Sequence, residues 1–227
     1  IAIDKSRVRT KESAHVAFPL NVLEGVVRFD LGEAIVEAER NQLPGSCRDF
    51  IGVHSAADVS NATLGVSIAA LDAPLVEPGA ITDERQGERG TRAWRERTAR
   101  GTTLYAYLLN NYWHTNYKAS QEGPLRYRFV LRPHGAFDPV ALRRFSDQQD
   151  QPLLVFPISP SAPALAAPFA LSGDPVTLSS LRASDDGAAI VARLYNPSPR
   201  AAMVTLRPAA GLSRIAVVTA DGTRALA

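Results

Sequence analysis

From Arg126 to Arg132 polar and apolar side chains largely alternate, with Val130 the exception. Tyr127, Phe129 and Leu131 fall on one side, and Arg126, Arg128 and Arg132 on the other. A period of two puts successive residues on opposite faces of a strand, whereas a helix would spread both sets around its circumference. Pro133 and Gly135 close the run. The same habit recurs along the chain. In residues 103–109, Leu104, Ala106 and Leu108 share one face and Tyr105, Tyr107 and Leu109 the other, so this strand can be buried on both sides. Residues 15–20, 26–31, 34–39 and 64–70 are further short runs, separated by Gly, Asn, Pro or Asp. Helical patterns are few: a short one over 140–145, and one over 91–100 that lacks a good apolar stripe. An all-β chain is expected, which argues against a Rossmann sheet or a complete (β/α)8 barrel.

Composition changes after Gln151. Residues 153–156 can form a strand. Pro157, Pro160, Pro163 and Pro168 then interrupt any helix across a Pro-, Ala- and Ser-rich stretch. Four short strands are expected beyond it, over 176–181, 189–195, 202–207 and 215–219, spaced as in a small antiparallel β-sandwich. With 227 residues, 45% of them hydrophobic, the chain can bury a substantial core. The expected division is a larger β region over 1–156, a linker or covering segment over 157–174, and a small terminal sandwich over 175–227.

The formal charge of +2 selects no partner. Six arginines between Arg85 and Arg100 cluster, but Asp83, Glu84, Glu88 and Glu96 sit among them, so a solvated mixed-sign surface is expected rather than a nucleic-acid site. No apolar run reaches the ~18 residues that a membrane helix needs, and no membrane role is expected. Cys47 is the single cysteine, so no internal disulfide forms, which fits a reducing compartment. A bacterial cytoplasmic location is the expectation. The opening residues Ile1, Ala2, Ile3, Asp4 and Lys5 do not read as a signal peptide. They include no initiator methionine, as in a processed or truncated product.

Catalytic patterns are sparse. Asp49, Asp58, Asp72, Glu77 and Glu122 read as loop or turn acids, and spacing alone pairs none of them across a sugar-sized gap. His15, His54, His114 and His134 are too dispersed for a compact zinc motif, and no phosphate-cradling glycine loop is present. Two runs stand out. The first is Asn110-Asn111-Tyr112-Trp113-His114-Thr115-Asn116-Tyr117-Lys118. Its amides, its indole and its histidine offer both hydrogen bonds and an apolar face, the mixture that sugars require. A satisfied loop at a domain seam is the other reading. The second run is Asn41-Gln42-Leu43-Pro44-Gly45-Ser46-Cys47-Arg48-Asp49-Phe50. Pro44-Gly45 turns the chain. Arg48 and Asp49 then either organise a charged network or pair at the surface. Asp58-Val59-Ser60-Asn61 reads as a turn between strands.

Together these runs resemble the C-terminal β region of glycoside hydrolase family 38, the alpha-mannosidase family. The segment from Asn110 through Lys118 to Pro124 is the most specific block. His15-Val16-Ala17-Phe18-Pro19-Leu20, Asp72-Ala73-Pro74-Leu75 and, later, Arg193-Leu194-Tyr195-Asn196-Pro197 accompany it in order. The resemblance implies a mutarotase-like β supersandwich region followed by a small antiparallel β-sandwich. It implies that zinc, the nucleophile and the acid/base group belong to an N-terminal catalytic domain outside this chain, and that no cofactor is held here. On this reading the chain supports retaining hydrolysis of alpha-mannosides. Asn110, Trp113, His114, Asn116, Lys118, Arg48 and Asp49 are then candidates for the substrate cleft or its immediate surroundings. The expected partners are an alpha-mannoside or other glycan and the missing catalytic region or subunit; a homo-oligomer is left open. A non-catalytic carbohydrate-binding or structural interaction module is the alternative.

Overall fold

In the computed structural model the residues described are 1–81, 95–111, 120–159, 167–212 and 214–219. Every strand pairing among them is antiparallel. The chain divides into two compact units, Ile1–Pro152 and Leu153–Ala227.

In the first unit, β3 (Val26–Asp30), β4 (Ile35–Glu37), β6 (Ala56–Ser60), β7 (Gly65–Ala70) and β11 (Phe129–His134) form a five-stranded sheet in the order β11-β7-β6-β3-β4. A four-stranded sheet runs β2-β9-β8-β5, from β2 (Ser13–Pro19), β9 (Thr103–Asn110), β8 (Leu75–Pro78) and β5 (Ile51–Gly52). Val27, Phe29, Ala57, Val59 and Ile68 of the first sheet meet Val76 and Leu104 of the second in one core. Fully burying side chains of this size contributes about 1.5–3 kcal/mol each. A pair of strands, β1 (Ala2–Lys5) with β10 (Gly123–Arg126), adds Ile3 and Leu125 to a smaller cluster around Ala73, Ala106 and Tyr127.

The outer face of the five-stranded sheet carries α1 (Pro139–Asp150). Asp138 caps it, accepting from the backbone nitrogens of Val140 and Ala141, and Pro139 opens it with a φ already suited to a helix. Those two signals fix its start one residue before the 140–145 segment read from the sequence, and the helix runs on past that segment to Asp150. Leu142 and Phe145 pack on Ala56 and Ala69. The small alanines let the helix approach the sheet closely.

Two strands differ from their sequence patterns for identifiable reasons. The alternating run 126–132 is not one strand: it breaks at Tyr127 and Arg128 into β10 and β11. Asp72, in the β7–β8 turn, accepts from the Arg128 backbone nitrogen at 2.8 Å and from its Nε and Nη2, both at 2.9 Å. That fork pins the break, and Tyr127 turns into the smaller cluster. In β9 the register skips Leu108, since Ala14 faces Leu109 while His15 faces Tyr107. The bulge shifts the phase by one residue. Leu104, Ala106, Leu109 and Asn111 are therefore the buried positions, not Leu108. The freed Leu108 carbonyl accepts from the Tyr127 hydroxyl at 3.0 Å, and burial pushes the pKa of that phenol up.

Residues 58–61 do not form a turn. Asp58, Val59 and Ser60 belong to β6, inside the five-stranded sheet. Val59 faces the core while Asp58 and Ser60 face the helix layer. Three of the five acids read as loop groups are also buried: Asp49 and Asp58 are 0% exposed and Glu77 is 1% exposed.

The second unit contains two two-stranded sheets, β12 (Phe169–Ser172) with β15 (Thr205–Pro208) and β13 (Thr177–Ala183) with β14 (Ile190–Tyr195). Residues 153–156 form no strand despite their composition, because β propensity supplies no hydrogen-bonding partner. Residues 215–219 hold one bridge, at Val218, in place of the expected strand. The helix read over 91–100 lies outside the described residues up to 94, and residues 95–100 are not helical.

The Asp72–Arg128 fork has a pH signature. The side-chain hydrogen bonds from Arg128 hold the Asp72 carboxyl below the usual carboxylate range, against the opposing effect of burial. A depressed native pKa means that the unfolded chain takes up the proton first as acid is added. The stabilisation is therefore present above the ordinary carboxylate value of 3.8 and lost as pH falls through the lower native value. Asp72→Asn is expected to melt below the parent at neutral pH, by a modest amount because the fork is partly exposed. The two melting curves should converge in strong acid. A constant gap across the acid range would exclude the ion pair as the cause.

Candidate functional site

The root of the segment 112–119 is built on the outer face of the four-stranded sheet. His15, from β2, and Glu77, from β8, meet across the intervening β9, with Nε2 and Oε1 2.9 Å apart. Their side chains are 6% and 1% exposed. The His15 ring stacks on Tyr107 with centroids 4.5 Å apart, and Phe50 meets the same tyrosine edge-on at 6.4 Å. Strand order explains the convergence. Residues 15, 77, 105 and 107 all point away from the shared core, so alternation gathers them on one face.

Asn111 follows β9 directly and is 1% exposed. Its side-chain nitrogen donates to the carbonyl of Val8 at 2.7 Å and to Glu12 Oε1 at 3.0 Å, while its oxygen accepts from the Gln121 backbone at 3.3 Å. One amide thus ties the segment before β2 to Gln121, two residues beyond 112–119. Its role is to hold residues 8, 12 and 121 together, and its capacity for hydrogen bonds is used in doing so.

Beside this face lies a charged cluster. Asp49, immediately before Phe50 and β5, has Arg95 Nε 3.6 Å from its Oδ1. Arg95 also donates to the carbonyls of Ala80 and Ile81. Arg48 lies 4.0 Å from Glu39. Hydrogen bonding from Thr98, with Arg48 and Arg97 near, holds the Glu39 carboxyl below its ordinary range. Gly79, at φ +75°, lets this strand pass the next loop: a Cβ there would lie 2.3 Å from the Ala99 carbonyl oxygen.

Of the residues selected from the sequence, Asn110 ends β9 opposite Ser13. Asp49 is buried, which overturns the surface-pair reading, and Arg48 is half-buried against Glu39. Trp113, His114, Asn116 and Lys118 lie outside the described residues. His15 and Glu77 were read only as a dispersed histidine and a loop acid, and Tyr107 only as a strand-face residue. That Glu77 lies in a strand was recoverable: it follows Val76 in a short β run bounded by prolines. The His15–Glu77 pairing was not, because it depends on strand order.

A second buried network occupies the helical face of the other sheet. Asp58 accepts from Ser60 Oγ at 2.5 Å and Ser67 Oγ at 2.8 Å, and lies 2.7 Å from His134 Nε2. The other nitrogen of that ring lies 3.0 Å from the Gly135 carbonyl. Both serines serve the carboxylate rather than the imidazole, so the trio is not a nucleophilic triad. Gly65 makes room for it, since a Cβ there would fall 2.5 Å from His134 Cε1. Nearby, Asp30 accepts from Arg143 of α1 at 3.0 Å. Among the described residues no group of three or more His, Cys, Asp or Glu side chains could hold a metal ion, and no helix is long and apolar enough to cross a membrane.

No protein-family model matches this chain, and no curated protein matches it. What the structure defines is therefore a class only: an antiparallel, multi-sheet β protein with one helix among its described residues. Its site must be read from geometry.

Proposed function

We propose that the chain is a carbohydrate-handling β region whose 111–120 loop is presented to a glycan, and whose bond-breaking chemistry comes from a separate catalytic part. The observation that carries this reading is the rigid root of the loop. Asn111 holds residues 8, 12 and 121 together, and the His15–Glu77–Tyr107 face fixes the strand that delivers it. A loop rich in amides and aromatic rings is worth such anchoring when its polar groups must be held in place before a ligand arrives.

The accessory part of the reading draws on the buried acids. Asp30 faces Arg143, Asp49 faces Arg95, Asp58 faces His134 and two serines, and Glu77 faces His15. A glycosidase of the ordinary kind needs two carboxyl groups opposed across the scissile bond, about 5–9.5 Å apart. Each of these four is instead committed to an internal partner. In the alpha-mannosidase-like arrangement that the motifs resemble, a zinc-bearing domain would supply the reacting groups. Unit 1 would frame the cleft as part of a mutarotase-like supersandwich, and the second unit would be a small terminal sandwich.

Calorimetry with manno-oligosaccharides tests the binding role. The chain is expected to bind them, and Trp113→Ala to weaken binding about tenfold or more, while leaving the melting temperature unchanged. An absence of heat, together with a stable complex formed with another protein through this loop, would make it an interaction module. Hydrolysis of an aryl alpha-mannoside by the chain alone would overturn the accessory assignment.

A further inference from the structure

A cleft of about 680 Å³ opens on the helical face of the five-stranded sheet, at the approach to α1. This size falls in the range of small-molecule sites, about 300–1,000 Å³. Its walls come from the β2–β3 turn, the β6–β7 turn and the residues before the helix cap. Leu23 and Phe137 supply apolar surface, while Glu24, Arg28, Ser60 and Thr63 supply polar groups.

The floor is preorganised. Arg28 Nη1 donates to Ser60 Oγ at 3.1 Å, and that hydroxyl donates onward to Asp58. The guanidinium lies 4.1 Å over the Phe137 ring and 3.3 Å from Glu37. The opposite wall is set by the turn at Glu24, whose φ of +52° is in the left-handed region. The charge arithmetic selects the ligand. Glu37 is shared by Arg28 and Arg40, and Glu24 adds a second carboxylate, so the charges around the cleft cancel and favour neither an anion nor a cation. A carboxylate able to accept two hydroxyls, a guanidinium with N–H groups to spare and an apolar wall suit a neutral, hydroxyl-rich ring.

We infer that this cleft is a second binding site, for a neutral saccharide, separate from the loop of the proposed function. It rests on the cleft's own lining and does not require that reading to hold. The test is amide NMR of the whole chain titrated with methyl alpha-mannoside and, separately, with inorganic phosphate. The sugar is expected to shift amides in 23–28, 60–63 and 136–137. Glu24→Gln is expected to weaken those shifts about ten- to a hundredfold, the loss of a charge-assisted hydrogen bond, and Thr63→Val to weaken them less. Trp113→Ala should leave them intact. If Trp113→Ala abolishes them, there is one shared site and this inference fails. If they persist while the loop binds nothing, only the loop reading fails. Unshifted amides, shifts insensitive to Glu24→Gln, or stronger shifts with phosphate would each overturn the inference.

Discussion

Asp58→Ala is expected to destabilise the first unit by about 3–5 kcal/mol, because a buried charge partner is removed while its neighbours stay buried. The carboxylate is wholly enclosed and serves His134, Ser60 and Ser67 together. Its loss strands three polar groups where water cannot replace it. Asp58→Asn keeps the shape and one acceptor oxygen, so it should cost less, about 1–3 kcal/mol. Urea denaturation followed by circular dichroism gives both values. Equal losses for the two variants would mean that shape, and not hydrogen bonding, governs the site.

The Asp30–Arg143 pair should respond as strongly. Arg143 is 4% exposed and Asp30 is 0% exposed. Burial works against the guanidinium's charge, but bonds to Asp147 and Asp30 outweigh it and raise its pKa further. Asp30→Ala removes the deepest partner and also the acceptor for the Gly32 backbone nitrogen. The expected loss is about 3–5 kcal/mol. Asp30→Leu combined with Arg143→Met should recover most of it, since apolar pairs of similar volume often replace buried ion pairs without penalty. A double variant no more stable than Asp30→Ala would show that Arg143 is needed for more than its partner, for instance to satisfy the Gly32 carbonyl.

These two networks mark where sequence reading stopped. The strands with apolar alternation, such as 26–30, 65–70 and 103–110, were legible because one face meets a core. β6 was not. Its Asp58 and Ser60 carry turn residues' signals, and only the position between β3 and β7 makes them interior groups. The helical layer makes the outer face of that sheet a buried polar one, which no two-residue period announces. The segment after Asn110 stands out by composition, but residues 112–119 lie outside the described ones. Its anchorage was not legible, because Asn111 reaches residues 8 and 12, a century of residues upstream. The break at Arg128 was hidden for the same reason: its cause, Asp72, is remote in sequence.

The strand order also sets a timetable for synthesis. Among the described residues β1 pairs with β10 and β2 with β9, so these two strands leave the ribosome well before their mates. Roughly a hundred residues must follow before either ladder can close, and ladders joined over such separations close late. In the interval β2 offers two bare edges in the crowded cell. Nascent chains halted before residue 103 should therefore be the form most readily captured by chaperones or lost to aggregation.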